Sequence, residues 1–198
     1  MQRNSSAALP LRAGVPVSRG ESLLRGAGAV LLGSLVVALA AHVAIPLPFT
    51  PVPFTLQPLA VLLVGLMLGP SLGFATMCAY LAEGALGLPV FQPHGPGGLL
   101  QMAGPTGGFL LSYPLVAMIA GGLFRALPLR SRYLSAALAG TAAVALLFTA
   151  GATQFAVWMH TGLAATMTAA VVPFLPGEFV KVLAAAGIAT AWSTRARR

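Results

Sequence analysis

Long apolar segments, separated by short stretches rich in proline, glycine or arginine, make up most of the chain. Six of them follow one another, at residues 26–45, 59–68, 71–88, 107–127, 133–157 and 166–192. A helix needs about 20 apolar residues to cross the hydrocarbon core of a bilayer. The second segment is shorter, so we expect its helix to be short, tilted or partly re-entrant. The pattern predicts an all-α integral membrane protein, a bundle of six transmembrane helices with re-entrant or irregular external loops.

A proline-rich segment follows the first apolar stretch. Residues 46–58 contain five prolines in thirteen positions. Each proline lacks a backbone donor and disfavours helix at the residue before it, so we expect irregular backbone here. Irregular backbone at membrane depth is tolerated only where it is buried in protein or lines a cavity. The segment is therefore either an external loop or a lid folded into the protein.

Composition supports a membrane location and argues against nucleic-acid, metal and cofactor binding. Of the 198 residues, 58% are hydrophobic and 7% charged, whereas a soluble domain has about a quarter charged residues. The net charge of +8 arises because only three acids oppose eleven Lys and Arg. The basic residues lie in the tails and one loop, without the interleaved aromatics of a nucleic-acid surface. The single cysteine and three scattered histidines predict neither a metal site nor a cofactor.

The distribution of basic residues predicts the orientation in the membrane. With six spans, ten of the eleven Lys and Arg fall on one side, which the positive-inside rule assigns to the cytoplasm. We expect a cytoplasmic arm at 1–25, a membrane domain at 26–192 and a cytoplasmic tail at 193–198. Two alternatives remain open at this point. Five spans would place the terminal arginines outside, and cleavage of a signal peptide near Ala38-Leu39-Ala40 would remove the first span.

The densest chemical motif lies in the last apolar segment. The chain has no phosphate-binding loop, no H-E-x-x-H and no nucleophile with a base, so we do not expect an enzyme, and active uptake requires a partner or an ion gradient. Glu178 and Lys181 instead lie three residues apart, on one face of a helix. A charge at bilayer centre costs about 2.5–3.5 kcal/mol, and such residues are functional by default. We favour a substrate site over an interfacial ion pair that only anchors the helix.

Other candidate residues are less specific. Glu83 is the second intramembrane acid, with Tyr80 three residues before it. Gln57 offers two donors and an acceptor, and Phe91 could wall an apolar pocket together with Phe49 and Phe54. Snorkelling, loop capping and core packing are the respective structural alternatives.

Small residues recur at every fourth position along the first apolar segment. They form the pairs Ala29 and Gly33, Ser34 and Ala38, and Ala40 and Ala44. This spacing lets helices approach closely, either inside the bundle or against a partner.

Four segments together resemble the BioY family, the biotin-binding S subunits of energy-coupling factor transporters. They are IPLPFTPVPFTLQ at 45–57, GALGLPVF at 84–91, GPTGG at 104–108, and FLPGE at 174–178 with Lys181. The resemblance covers about residues 26–192. The family motif usually has Asp where this chain has Glu178, and the loop 92–98 is less typical.

The resemblance implies a multi-pass protein of the bacterial cytoplasmic membrane with both termini in the cytoplasm and an external biotin site. It also implies a partner module of one transmembrane coupling protein and two ATPases, with Ala40 and Ala44 on the docking face of the first helix. Biotin has a ureido group with two N–H donors and a carbonyl, and a tail that ends in a carboxylate. We expect Glu178 to accept from a ureido N–H and Lys181 to donate to the ureido oxygen or the tail carboxylate. Gln57 and Tyr80 would complete the polar contacts.

Three alternatives to this function remain at this point. The chain could bind another small vitamin as a related S subunit. It could be a membrane scaffold without a ligand, in which the prolines and the ion pair only fix helix packing. It could also transport biotin without the ATPases.

The six-span topology predicts that both termini face the cytoplasm. Reporter domains fused to the N-terminus and to the C-terminus, each active on one side of the membrane only, should therefore give the same result. Reporters on opposite sides would exclude six spans and favour five.

Overall fold

The computed structural model describes residues 19–195. They form α1 (Arg19–His42), β1 (Ala44–Leu47), β2 (Thr50–Thr55), α2 (Gln57–Leu68), α3 (Pro70–Ala85), α4 (Gly98–Ala103), α5 (Gly107–Ala126), α6 (Arg132–Met159), α7 (Leu163–Ala170), a 3-10 turn (Val172–Phe174) and α8 (Leu175–Arg195). Residues 1–18 of the predicted arm and 196–198 of the predicted tail lie outside the described residues. The first helix begins before the predicted start at residue 26.

The described part of the chain contains four segments long and apolar enough to cross a membrane. They are Gly20–His42, Gly107–Ala126, Arg132–Met159 and Leu163–Arg195. Helices α2 and α3 have 12 and 16 residues. At 1.5 Å per residue they reach about 18 and 24 Å, less than the hydrocarbon thickness of about 30 Å. The mostly helical membrane fold is confirmed, and six crossings stay a prediction.

The proline-rich segment was predicted to be irregular. In the structure most of it forms an antiparallel β-hairpin with the residues just before it. Ala44 pairs with Thr55, Ile45 with Phe54 and Leu47 with Thr50, and the register is interrupted between Ile45 and Leu47. The prediction was wrong because both strands are edge strands, where a missing backbone donor is tolerated. Pro46 lies at the interruption itself. The hairpin then leads directly into α2.

Gly69 and Pro70 separate α2 from α3, as the sequence predicted. Gly69 has a φ of 85°, in the left-handed region that favours glycine, and Pro70 opens the next helix. The Arg125 guanidinium of α5 donates to the Leu68 carbonyl at 3.0 Å. A Cβ at Gly69 would lie 1.9 Å from Arg125 Nη2. The turn between these two short helices is therefore held by the end of α5.

Helix α5 lies at the centre of the bundle, in contact with α2, α3, α4 and α6. Its backbone lies very close to that of α2, because glycines remove the side chains between the two helices. A Cβ at Gly65 would lie 2.4 Å from the Ala117 carbonyl oxygen, and a Cβ at Gly121 would lie 2.3 Å from the Gly65 carbonyl oxygen. Backbone contact of this kind is typical of small-residue packing between membrane helices.

The small residues of α1 pack inside the chain. Gly33, Ser34 and Ala38 are buried, and a Cβ at Gly33 would lie 2.8 Å from Thr76 of α3. Ala40 is half-buried against the core. The placement of Ala44 on the first helix was wrong, because α1 ends at His42 and Ala44 belongs to β1. The internal-packing alternative therefore accounts for the middle of this helix.

Leucines lie on the exposed side of α1. They are Leu31, Leu32, Leu35 and Leu39, each more than half exposed in the isolated chain. This side is available to lipid or to a partner.

The contact between α2 and α5 predicts a position-specific effect of one added methyl group. Gly65→Ala should lower the melting temperature in detergent by several degrees, because overpacking costs about 1–3 kcal/mol. Gly28→Ala in α1 is the matched control, since nothing lies within 4 Å of a Cβ there. The control should be neutral or slightly stabilising. Equal melting temperatures for the two variants would contradict the close contact.

Candidate functional site

A small cavity of about 60 Å³ lies between the hairpin, α2, α5, α6 and the beginning of α8. Polar and aromatic side chains share its wall. The lining residues are Val52, Pro53, Thr55, Gln57, Pro58, Gln92, Gln101, Thr106, Phe109, Leu110, Tyr113, Leu147, Phe148, Phe174 and Glu178. Two predicted site residues, Gln57 and Glu178, therefore face one enclosed space. That space holds about four water molecules at about 15 Å³ each.

Glu178 and Lys181 form a buried ion pair in the first turns of α8. Each residue is 5% exposed, and Lys181 Nζ lies 2.5 Å from Glu178 Oε1. The carboxylate also lies near the helix N-terminus, where the macrodipole favours negative charge. Pro176 is tolerated just before it, because a backbone N–H in the first turn of a helix has no acceptor within the helix, so its loss costs no hydrogen bond. The local sequence thus begins a helix and places an acid and a base on its inner face.

One carboxylate oxygen of this pair accepts no hydrogen bond from the described part of the chain. Within the described residues, Glu178 Oε2 is buried and has no hydrogen-bond partner. Buried polar atoms are nearly always satisfied, and a charged one left unpaired is especially costly. Because Glu178 also lines the cavity, its free oxygen identifies a place for an external N–H or O–H donor.

Phe54 of β2 covers the ammonium group. Lys181 Nζ lies 4.1 Å from the centre of the Phe54 ring, a cation–π contact. The same ring stacks on Phe174, with centroids 6.4 Å apart and planes inclined by 8°. Gly177 makes room for it, because a Cβ there would lie 2.3 Å from the ring. The hairpin is thereby pinned to the beginning of α8.

Tyr80 lies behind Gln57 and orients its amide. Gln57 Nε2 donates to the Tyr80 hydroxyl at 2.7 Å, and that hydroxyl donates to the Val90 carbonyl at 2.9 Å. Phe91 packs edge-on against Tyr80, with centroids 5.4 Å apart, and fills the space beside Gly84. Tyr80 and Phe91 therefore support the wall of the cavity without lining it.

The remaining candidates lie elsewhere. Glu83 accepts a short hydrogen bond from the Ser34 hydroxyl of α1 and does not line the cavity. Ala40 and Ala44 are also outside it. Phe49, at the turn of the hairpin, is 60% exposed. The structure therefore groups Gln57, Tyr80, Phe91, Glu178 and Lys181 around the cavity, and it places Glu83, Ala40 and Ala44 away from it.

Sequence reasoning missed several polar lining residues, among them Gln92, Gln101 and Tyr113, which are all less than a tenth exposed. Gln92 Oε1 accepts from the His94 N–H at 2.7 Å, and Gln101 Oε1 accepts from the Gly97 N–H at 3.2 Å. The chain has only five glutamines. Such rare amides between apolar segments are a signal that would have found two of these residues, whereas nothing local distinguishes Tyr113.

Comparisons with known proteins agree on one family. A model of the BioY family matches residues 12–198. The chain is similar to the biotin transporter BioY of Thermotoga maritima, with 33% identity across 73% of this chain and 83% of that protein. It is 49% identical to a probable biotin transporter BioY of Pyrococcus horikoshii across 36% of this chain, a match that spans 43% of that protein. A crystal structure of the S-component for biotin from an ECF-type ABC transporter has the same fold, with a TM-score of 0.79 and 21% identity over 89% of this chain and 94% of that one.

The buried pair predicts a non-additive effect on stability. Lys181→Met should destabilise the protein by up to about 3–5 kcal/mol, because it leaves the Glu178 carboxylate buried without its cation. The double variant Glu178→Gln with Lys181→Met removes both charges and should recover most of that loss. Thermal unfolding in detergent is measured for the parent, the Lys181→Met variant and the double variant. Equal losses in the single and double variants would show that the two side chains do not act as a pair.

Proposed function

Since the chain belongs to the BioY family, we propose that it binds biotin at the outer face of a bacterial cytoplasmic membrane, as the substrate-binding subunit of an energy-coupling factor importer. The chain is a component of biotin uptake and not an enzyme. Its role is to capture the vitamin and deliver it inward.

The free Glu178 oxygen is the observation that carries this proposal. A ureido group combines N–H donors and a carbonyl acceptor within a few ångströms. One N–H would donate to Glu178 Oε2, which has no protein partner among the described residues, and the ureido oxygen would accept from Lys181. Hydrogen bonds to charged groups contribute more than neutral ones, about 1.5–3 kcal/mol each. The pair is therefore suited to recognise both halves of one ureido group.

The other cavity residues suit the rest of the ring system. Gln57, oriented by Tyr80, offers a further polar contact. Phe109, Phe148 and Phe174 provide apolar walls, which match the mostly apolar fused rings of biotin. The cavity holds only about four waters, less than those rings require, so lining side chains of the hairpin or of the 92–98 loop must move apart when biotin binds.

Transport requires partners. The family resemblance implies that the energy for import comes from two ATPases acting through a transmembrane coupling protein. A sequence without a phosphate-binding loop fits this arrangement. The apolar exposed face of α1 supports docking of the coupling protein on this helix. In the proposed six-span topology, with both termini in the cytoplasm, the hairpin and the cavity would face the external side.

A binding measurement tests the assignment of Glu178. Glu178→Gln keeps the size of the side chain but removes its charge, so biotin affinity measured by calorimetry should fall at least about tenfold, the effect of losing one charge-assisted hydrogen bond. Glu83→Gln is the matched control, because Glu83 contacts Ser34 rather than the cavity. Its affinity should stay within about threefold of the parent.

Affinities are measured well below the unfolding temperature of each variant, because Glu178→Gln also leaves the Lys181 ammonium buried without its carboxylate. If Glu178→Gln bound biotin as tightly as the parent, the proposed contact would be wrong. If the Glu83 variant alone lost affinity, the site would lie between α1 and α3 instead.

A further inference from the structure

A second cavity, of about 410 Å³, lies next to the first. Its wall is formed by the hairpin, the 92–98 loop, α4 and the turn between α4 and α5. The lining residues are Pro51, Gln92, His94, Gly95, Pro96, Leu100, Gln101, Gly104, Pro105, Thr106 and Trp158. We call this space the outer compartment and the cavity at Glu178 the inner compartment.

Gln92, Gln101 and Thr106 line both compartments. Two chain segments also run from one to the other. In β2, Pro51 lines the outer compartment and Val52 lines the inner one. At the beginning of α5, Pro105 lines the outer compartment and Phe109 the inner one. The two spaces are therefore neighbours along a common wall, and a ligand anchored at Glu178 can extend into the outer one.

The wall shared by the two compartments includes the side chains of Gln92 and Gln101. Gly95 of the loop packs onto both glutamines, since a Cβ there would lie 2.7 Å from the Gln101 amide carbon and 2.8 Å from Gln92 Nε2. Each amide oxygen accepts from a backbone N–H of the same loop. The wall that the compartments share therefore includes two side chains held by the loop.

The outer compartment differs from the inner one in its charge. None of its eleven described lining residues is Lys, Arg, Asp or Glu. Its polar groups are the amides, the Thr106 hydroxyl and the imidazole of the exposed His94, and Trp158 and prolines provide the apolar surface. Recognition of a carboxylate usually involves Arg or Lys placed against it. Lys181 lines neither compartment and is already paired with Glu178.

We propose that the outer compartment receives the tail of the ligand and accepts a neutral tail amide as well as a free carboxylate. The ligand class of this chain then includes biotin conjugated through its tail as an amide, in addition to free biotin. This inference rests on the proposed function. It also assigns the ureido end of biotin, and not its carboxylate, to Lys181.

Competition against labelled biotin on the purified full chain tests the proposal with two compounds, biotinamide and Nε-biotinyl-lysine. Both should bind within about threefold of free biotin. Affinities for both that are lower than that of biotin by about thirtyfold or more would overturn the proposal, because they would show that the carboxylate itself is recognised. In that case biotin still binds and the proposed function stands. Absence of binding by biotin itself would overturn the proposed function together with this inference.

A pair of variants in α4 tests whether the tail occupies the outer compartment. Leu100→Trp adds bulk to its wall, so the ratio of the dissociation constants of Nε-biotinyl-lysine and biotin should rise at least about tenfold. Leu99→Trp is the matched control, because Leu99 is similarly exposed on the same helix but lines neither compartment. Its ratio should equal that of the parent. An unchanged ratio in Leu100→Trp, in a protein with parental thermal stability, would show that the tail lies elsewhere.

Discussion

Burial of an acid beside a base at the beginning of α8 is the constraint around which the surrounding structure is arranged. An ion removed from water is stable in a protein interior only if it is paired and hydrogen-bonded. Lys181 meets this requirement through Glu178 Oε1 and the Phe54 ring. Glu178 meets it on one oxygen only. A ligand with an N–H donor can satisfy the remaining oxygen.

The parts of the cavity wall differ in how firmly they are held. On one side, α2 and α5 are in backbone contact through Gly65 and Gly121, so this wall cannot shift without disturbing the bundle. On the other side, the hairpin is attached by the Phe54 ring, and the 92–98 loop is attached by the amides of Gln92 and Gln101. Movement that admits a ligand therefore belongs to the hairpin and the loop. The polar anchor at Glu178 lies between the fixed wall and the movable one.

The sequence predicted the helical membrane fold because apolar length and proline or glycine interruptions are local properties of the chain. It also predicted the acid–base pair, since two opposite charges three residues apart in an apolar segment are conspicuous. It did not predict the hairpin. Proline is tolerated in edge strands, but the sequence does not show that these residues form a sheet of only two strands. Gln57, Gln101 and Tyr113 line the same cavity because α4 and α5 pack beside the beginning of α2. That is a property of the tertiary fold and has no counterpart in spacing along the chain.

The composition of the hairpin also affects how the protein avoids self-association. An exposed strand edge offers unpaired donors and acceptors to any other extended chain, and natural proteins use proline to block such pairing. The two strands contain Pro46, Pro51 and Pro53, which interrupt the row of donors. The hairpin is therefore a poor template for strand addition by a neighbouring molecule.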